Sequence, residues 1–112
     1  MTNEEKQLLL KDLCARLPYD VKVKSSRRQI VVTLSLDIMT DFHLGCTVKP
    51  YLRQMSSMTE EEEKEYENCF QGDDTTAATL LVDFYNKRHF DYRGLIKMGL
   101  ALEAPDGMYK TE

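Results

Sequence analysis

Few residues of this chain could carry metal or cofactor chemistry, and they lie far apart. The 112 residues include two histidines, His43 and His89, and neither belongs to a recognisable pattern of metal ligands. Asp41 and His43 would share one face of a strand, but a zinc site needs three or four converging ligands. The five glycines are scattered, so no glycine-rich loop for phosphate binding is predicted. We therefore expect no metal and no cofactor.

The three cysteines do not suggest disulfide, zinc or catalytic chemistry. Cys14, Cys46 and Cys69 are odd in number, and no two of them lie within five residues of each other. A catalytic nucleophile needs a base within hydrogen-bond reach and a group that orients this base, and no local signature of such a set occurs. The sequence favours cysteines that pack as small apolar residues, with Cys14 and Cys46 on apolar faces. We expect that the protein is not an enzyme.

Negative charge is concentrated in the second half of the chain. Residues 1–56 carry nine Lys or Arg and six Asp or Glu, whereas residues 57–112 carry six and thirteen, so the net charges are +3 and −7. The densest acidic run consists of Glu60, Glu61, Glu62 and Glu63. Such a run is usually a solvated helix face with favourable charge at the helix N-terminus. It is also our candidate surface for docking on a basic partner protein.

A second group of residues could contact nucleic acid. Basic and aromatic side chains occur together near the end of the chain, at Lys87, Arg88, Tyr92, Arg93 and Lys97. Stacking on bases and pairing with phosphates require this mixture. The net charge of −4 and the pI near 5.2 argue against it, and such basic residues are ordinarily the wet face of an element. Nucleic-acid binding is therefore the alternative hypothesis.

The elements that must position these residues begin with a helix over about residues 3–16. Thr2 and Glu5 form a capping box at its start. An apolar stripe follows the helical period, at Leu10, Leu13, Cys14 and Leu17. Pro18 pushes the preceding residue out of the helical region and so ends the helix. This helix is predicted to bury one face and to carry no site.

Alternation of apolar and polar residues predicts three strands next, over about 20–24, 30–38 and 42–48. The second strand is the clearest of them, because five apolar residues alternate without a break, at Ile30, Val32, Leu34, Leu36 and Ile38. The simplest arrangement is a three-stranded antiparallel meander with helices covering its apolar face.

The second half of the chain is predicted to be mainly helical. Thr59 followed by Glu62 is a second capping box, and it opens an acidic helix over about 60–70. Asp74 is expected to cap a third helix with a regular apolar stripe. This third helix should be central to the C-terminal half.

The last thirty residues are predicted to add a short helix and a hairpin. The short helix would lie between Asp91 and Gly99. Residues 100–104 and 108–110 flank a Pro-Asp-Gly turn, which allows a short C-terminal hairpin. A helix, a turn, a short helix and a hairpin are the parts of a winged helix, but in a chain of this length the favoured interpretation is that they simply close the core.

Together these elements predict an α+β fold in one small domain, residues 1–112. An N-terminal helix and the meander would occupy 1–56, and about three helices with the hairpin would occupy 57–112. No apolar run exceeds three residues, far short of the 18 or so of a membrane span. The first residues lack the basic and apolar regions of a signal peptide. We expect a cytoplasmic protein that does not bind membranes, and the sequence does not indicate its oligomeric state.

Three stretches carry a resemblance to a protein family. They read LCARLPY at 13–19, KPYLRQMSSMTEEE at 49–62 and HFDYRGLIKMGLALEAPDGMY at 89–109, and together they span 42 of the 112 residues. In them the chain resembles small proteins of uncharacterised function from gut Bacteroides genomes and their phages or prophages. The resemblance implies a bacterial or phage cytoplasm and a dispensable accessory role, and it carries no catalytic residue or cofactor.

The leading functional hypothesis is a non-catalytic protein-binding module that acts on a host or phage protein. Small accessory proteins of phages often act by covering a surface of a host protein, and an acidic domain fits that role. The alternative is a small nucleic-acid-binding regulator that uses the C-terminal helix-turn-helix-like segment and hairpin. A third hypothesis is a self-associating structural piece.

Overall fold

A computed structural model describes residues 2–109 of the chain. Its helices and strands, in chain order, are α1 (Asn3–Arg16), β1 (Lys22–Ser25), β2 (Val32–Thr33), α2 (Leu36–His43), β3 (Val48–Leu52), α3 (Glu60–Asn68), α4 (Asp74–Lys87) and β4 (Leu102–Glu103). Short 3₁₀ turns follow α1 and precede α3, at Leu17–Tyr19 and Met55–Ser57. The α+β class predicted from the sequence is confirmed.

The four strands form one mixed sheet in the order β2-β1-β3-β4. β1 pairs antiparallel with both β2 and β3, and β4 pairs parallel with β3, where Tyr51 lies opposite Leu102. Three antiparallel strands were expected, and three are present. Their arrangement as a meander was wrong, because β1 lies between β2 and β3 and a helix separates β2 from β3.

The predicted strands over 30–38 and 42–48 are largely replaced by α2. The helix begins after Ser35, whose hydroxyl accepts a hydrogen bond from the Ile38 backbone N–H at 3.4 Å. Ile38 and Asp41 are buried in the helical period, whereas Ile30 and Leu36 are 72% and 74% exposed, so the alternation does not mark a buried strand face. The serine cap and the helical period outweigh the alternation here.

The C-terminal prediction was also wrong in its details. Residues 92–99 form turns rather than a fourth helix, and the Asp91 carboxylate accepts hydrogen bonds from the backbone N–H groups of Leu95 and Ile96. Residues 102–103 pair with β3 instead of with 108–110, so the described part of the hairpin is absent. Lys110, at the end of the predicted hairpin, lies outside the described residues. The described segment therefore lacks the parts of a winged helix.

Helix α1 has the predicted bounds and the predicted capping box between Thr2 and Glu5. Its buried face differs from the predicted stripe, since Cys14 is exposed and two charged residues are buried beside apolar ones. The residues on that face follow the helical period: Leu9, Asp12, Leu13 and Arg16.

Two apolar clusters hold the elements together. The larger one joins α1, α2, the sheet and residues 95–101, and it includes Leu13, Val23, Leu52 and Leu100. The smaller one lies between α3 and α4, around Phe84. None of the helices within residues 2–109 is long and apolar enough to cross a bilayer.

Candidate functional site

A wide cleft lies between the first turn of α3 and the C-terminal turn at 103–107. It has a volume of about 1010 Å³. Its walls come from segments far apart in the sequence, since residues 53–62, Arg88 and residues 103–109 all contribute. We call it the large cleft.

The first turn of α3 is fixed by Thr59 and Glu62. The Thr59 hydroxyl accepts the Glu62 backbone N–H, and the Glu62 carboxylate accepts the Thr59 backbone N–H at 3.0 Å, which completes the predicted capping box. The same carboxylate receives two hydrogen bonds of 2.7 Å each from the Arg53 guanidinium. These bonds from Arg53, helped by Thr59, lower the pKa of Glu62 to about 2 although burial opposes the shift.

The four glutamates of the predicted acidic surface therefore have different environments. Glu60 and Glu61 are exposed and line the large cleft. Glu62 is buried, and its charge is compensated by Arg53. Glu63 is exposed and is not part of the cleft wall. Only two of the four thus offer an uncompensated charge to the cleft.

Two further carboxylates that the sequence analysis missed complete the acidic wall. Glu103 and Asp106 lie in the C-terminal turn, are exposed, and line the cleft together with Glu60 and Glu61. Within residues 2–109, none of these four carboxylates forms an ion pair. The Pro-Asp-Gly turn was recognisable in the sequence, but its proximity to α3 depends on the pairing of β4 with β3.

A smaller cavity of about 210 Å³ adjoins the large cleft, since both are lined by Arg53, Arg88 and Tyr109. We call it the basic cavity, because its lining includes four cationic side chains and one carboxylate. The charged residues are Lys22, Arg53, Lys87, Arg88 and Asp20. Three rings, those of Tyr19, His89 and Tyr109, complete the wall.

His89 holds an unusual backbone conformation in the wall of the basic cavity. It follows the C-terminal end of α4 with φ of +64°, a left-handed conformation in which glycine is usual. Its ring stacks on Tyr109, with 3.9 Å between the ring centroids. Burial, reinforced by the positive charges of Arg16 and Arg53, lowers the pKa of His89 to about 4, so the imidazole is neutral near pH 7.

Tyr109 fastens the C-terminal turn to the sheet. Its hydroxyl accepts the Lys22 backbone N–H at 2.7 Å and donates to the Tyr51 carbonyl at 2.7 Å. Burial raises the pKa of this hydroxyl well above its ordinary value, so it stays protonated and keeps its proton for donation. One side chain thereby connects β1, β3 and the wall shared by the two cavities.

The residues predicted for nucleic-acid binding do not line one cavity together. Lys87 and Arg88 line the basic cavity and lie 3.9 and 2.8 Å from the Glu65 carboxylate. Tyr92, Arg93 and Lys97 line neither cavity.

The tyrosine and arginine of the latter group are engaged within the protein. Arg93 donates to Asp12 at 3.1 Å and to the Tyr92 hydroxyl at 2.8 Å. The Tyr92 ring stacks on Tyr85, with 5.1 Å between centroids. Lys97 is exposed and has no ion pair within the described residues.

Beneath this region lies a buried ion pair on α1 that sequence analysis missed. Asp12 and Arg16 are fully buried, and the Arg16 Nε donates to Asp12 at 2.9 Å while its Nη2 donates to the Phe90 carbonyl at 2.6 Å. The spacing of four residues between opposite charges was the available signal, but such pairs are usually exposed.

The predicted pairing of Asp41 and His43 on a strand face was wrong, because both residues lie on α2. Asp41 is buried and accepts hydrogen bonds from Arg28 at 3.0 Å and from Ser25 at 3.1 Å. The bond from Arg28 lowers the pKa of this carboxyl. Across residues 2–109, no group of three or more His, Cys, Asp or Glu side chains is arranged to hold a metal ion.

Comparisons with known proteins identify no relative. No family model matches the chain, and neither a curated protein nor a solved structure is significantly similar to it. The resemblance to the Bacteroides and phage proteins therefore stays a prediction.

Proposed function

We propose that the protein is a non-catalytic binding module that takes a basic segment of another protein into the large cleft. The observation that carries this proposal is the set of four exposed carboxylates, unpaired within residues 2–109, on two different segments of the cleft wall: Glu60, Glu61, Glu103 and Asp106. Carboxylates left without partners around a concave surface attract Lys and Arg side chains and speed their association.

The wall between the carboxylates suits the stems of such side chains. Ala104, Pro105 and the ring of Tyr109 line the cleft beside Glu103 and Asp106. Lys and Arg bury their hydrocarbon stems on apolar surface while their charged groups reach carboxylates. The resemblance described above supports a host or phage protein as the partner, in a bacterial cytoplasm.

A nucleic-acid-binding regulator has less support. Arg88 and Arg93, two of the basic candidates, are bonded to carboxylates of the same chain at 2.8 and 3.1 Å. Binding to phosphates would have to break or share these bonds. Nucleic-acid binding therefore becomes an outcome of the test below.

The test is affinity purification from the native host, with and without nuclease, followed by titration of the purified partner. A cleft variant carries Glu60→Gln, Glu61→Gln, Glu103→Gln and Asp106→Asn. A matched control removes the same four charges from exposed positions outside both cavities: Glu4→Gln, Glu63→Gln, Glu67→Gln and Asp83→Asn. The control includes Glu63, which belongs to the acidic run but does not line the cleft, so it also tests whether binding depends on the cleft or on the run as a whole.

We expect a partner that survives nuclease, binds the control variant like the wild type, and loses about tenfold or more in affinity for the cleft variant. Binding to wild type should weaken with salt, because the attraction is between exposed charges. Equal losses in both variants would contradict a role of the cleft. Recovery of nucleic acid that disappears with nuclease, and of no protein partner, would favour the alternative regulator.

A further inference from the structure

The cationic side chains that line the basic cavity outnumber the carboxylates that line it or pair with them. Its four cations face three carboxylates within the described residues, namely Asp20 in the wall and the ion-pair partners Glu62 and Glu65. This leaves an excess of one positive charge at the cavity, in a protein whose net charge is −4.

Two residues of the cavity wall have a buried nitrogen atom without a hydrogen-bond partner. The Arg88 Nε and the His89 Nδ1 are both buried and unpartnered within residues 2–109, and both residues line the cavity. The Nη1 of the fully buried Arg16, whose charge acts on His89, is a third such atom. Buried polar groups are normally satisfied by protein, water or a ligand, and an unsatisfied one destabilises the folded protein.

The backbone at His89, one of these residues, has a strained conformation. His89 lies in the left-handed region, where a residue other than glycine is strained. Its position is fixed by the stacking on Tyr109, which is itself bonded to β1 and β3. The wall is therefore preorganised around the unpartnered nitrogens.

From this geometry we propose that the basic cavity binds a phosphate dianion, free or as the phosphoryl group of a small molecule. Four cationic side chains and one carboxylate line the cavity, and the several oxygens of a phosphate can accept from the guanidinium of Arg88 and the ammonium of Lys22. The volume of about 210 Å³ far exceeds the 10–15 Å³ or so that one water requires, so an organic group can accompany the phosphate. The rings of Tyr19 and Tyr109 would contact that group.

This inference does not rest on the proposed function, because the acidic wall of the large cleft and the basic cavity attract ligands of opposite charge. The cavities share Arg53, Arg88 and Tyr109, so the test uses residues that belong to the basic cavity alone. Lys22 is such a residue, and its side chain has no carboxylate partner within the described chain.

The experiment titrates the full-length protein with inorganic phosphate and, separately, with phenyl phosphate, with sodium chloride as the ionic-strength control. The protein contains two histidines, so the imidazole proton signals of His89 and the exposed His43 can be followed in one NMR spectrum. The variant is Lys22→Met, and the matched control is Lys24→Met on the same strand, which lines neither cavity.

We expect saturable shifts of the His89 signals with little change at His43. Lys22→Met should weaken phosphate binding by about tenfold, as the loss of one charge-assisted hydrogen bond does, whereas Lys24→Met should bind like the wild type. Tighter binding of phenyl phosphate than of phosphate would identify a phosphoryl group on a small molecule, and equal affinity would identify free phosphate.

Three results would overturn the proposal. One is the absence of a saturable shift at His89 with either probe. Another is an equal response of His43, which would indicate general ionic effects. The third is the same affinity in the Lys22 and Lys24 variants, provided that both give the wild-type spectrum elsewhere.

Discussion

Arg53 and Glu62 meet through two parallel hydrogen bonds of 2.7 Å, which join the end of β3 to the first turn of α3. The Arg53 guanidinium also covers the ring of Phe90, 4.3 Å from its centroid. Glu62 serves the helix cap with the same carboxylate. One ion pair therefore links the sheet, the acidic helix and the smaller apolar cluster.

Removal of Arg53 should destabilise the protein strongly. Arg53→Ala leaves the buried Glu62 carboxylate without its counter-charge, and breaking such a pair costs about 3–5 kcal/mol in the free energy of unfolding. Urea denaturation measures this loss. Arg27→Ala is the control, since the Arg27 side chain is 60% exposed and should change stability by less than about 1 kcal/mol. Equal losses in the two variants would show that the Arg53–Glu62 pair contributes no more to the free energy of unfolding than an exposed pair does.

Asp12 should be similarly sensitive, because its carboxylate is the shared partner of Arg16 and Arg93. Asp12→Asn would leave the fully buried Arg16 guanidinium uncompensated, with an expected loss of about 3 kcal/mol or more. Thermal unfolding is the measurement, and Asp83→Asn on the exposed face of α4 is the matched control. Unchanged stability of the Asp12 variant would mean that Arg16 is not held by this charge.

Stability should depend on His89 between about pH 6.5 and pH 4. The pKa of His89 is about 4 in the folded protein and near 6.5 when unfolded, so the unfolded chain binds more protons in this window. The contribution is constant above pH 6.5, and stability falls as the pH drops through the window, by at most about 3 kcal/mol.

The pH dependence is checked by measuring the free energy of unfolding at several pH values for wild type, His89→Gln and His43→Gln. The His89 variant should lose this slope and the His43 variant should keep it. Glu62 gives a separate decrease only below about pH 4.5, because its pKa is lowered to about 2 and the stabilisation is lost as the carboxylate is protonated. A slope that persists without His89 would assign the titration to another group.

Tyr109→Phe tests the fastening of the C-terminal turn. The change keeps the ring beside His89 but removes the acceptor for the Lys22 N–H and the donor to the Tyr51 carbonyl. We expect a loss of about 1–3 kcal/mol and faster hydrogen exchange of the Lys22 amide. Tyr19→Phe is the control, since the Tyr19 hydroxyl has no hydrogen bond to another side chain within residues 2–109. Protection of the Lys22 amide in the Tyr109 variant would contradict this role.

The parts of the fold that the sequence predicted well are those with local signals. The capping boxes at Thr2 and Thr59 define the starts of α1 and α3, because their hydrogen bonds join residues three apart. Helix α2 was missed because the apolar alternation over 30–38 also contains the helical spacing, and only Ser35 distinguished the two.

The unpredicted parts depend on contacts between distant residues. No local pattern indicates that residues 102–103 pair parallel with β3 rather than with 108–110. Two of the four carboxylates of the acidic wall were predicted, because Glu60 and Glu61 belong to a run of glutamates in the sequence. Glu103 and Asp106 were not, because they reach the cleft only through the pairing of β4 with β3. The basic cavity combines Lys22 of β1, Arg53 directly after β3 and residues at the end of α4, so the sequence alone could not group them.

The late position of β4 and of residues 95–101 in the sequence has a consequence for folding during synthesis. Leu95, Leu100 and Ala101 complete the cluster that contains Leu9 and Leu13, and β4 reaches its partner β3 across 51 residues, from Tyr51 to Leu102. The N-terminal helix therefore leaves the ribosome long before the segment that covers it, and its apolar face waits in contact with solvent or chaperones. The larger cluster cannot close before residues 95–101 have emerged from the ribosome.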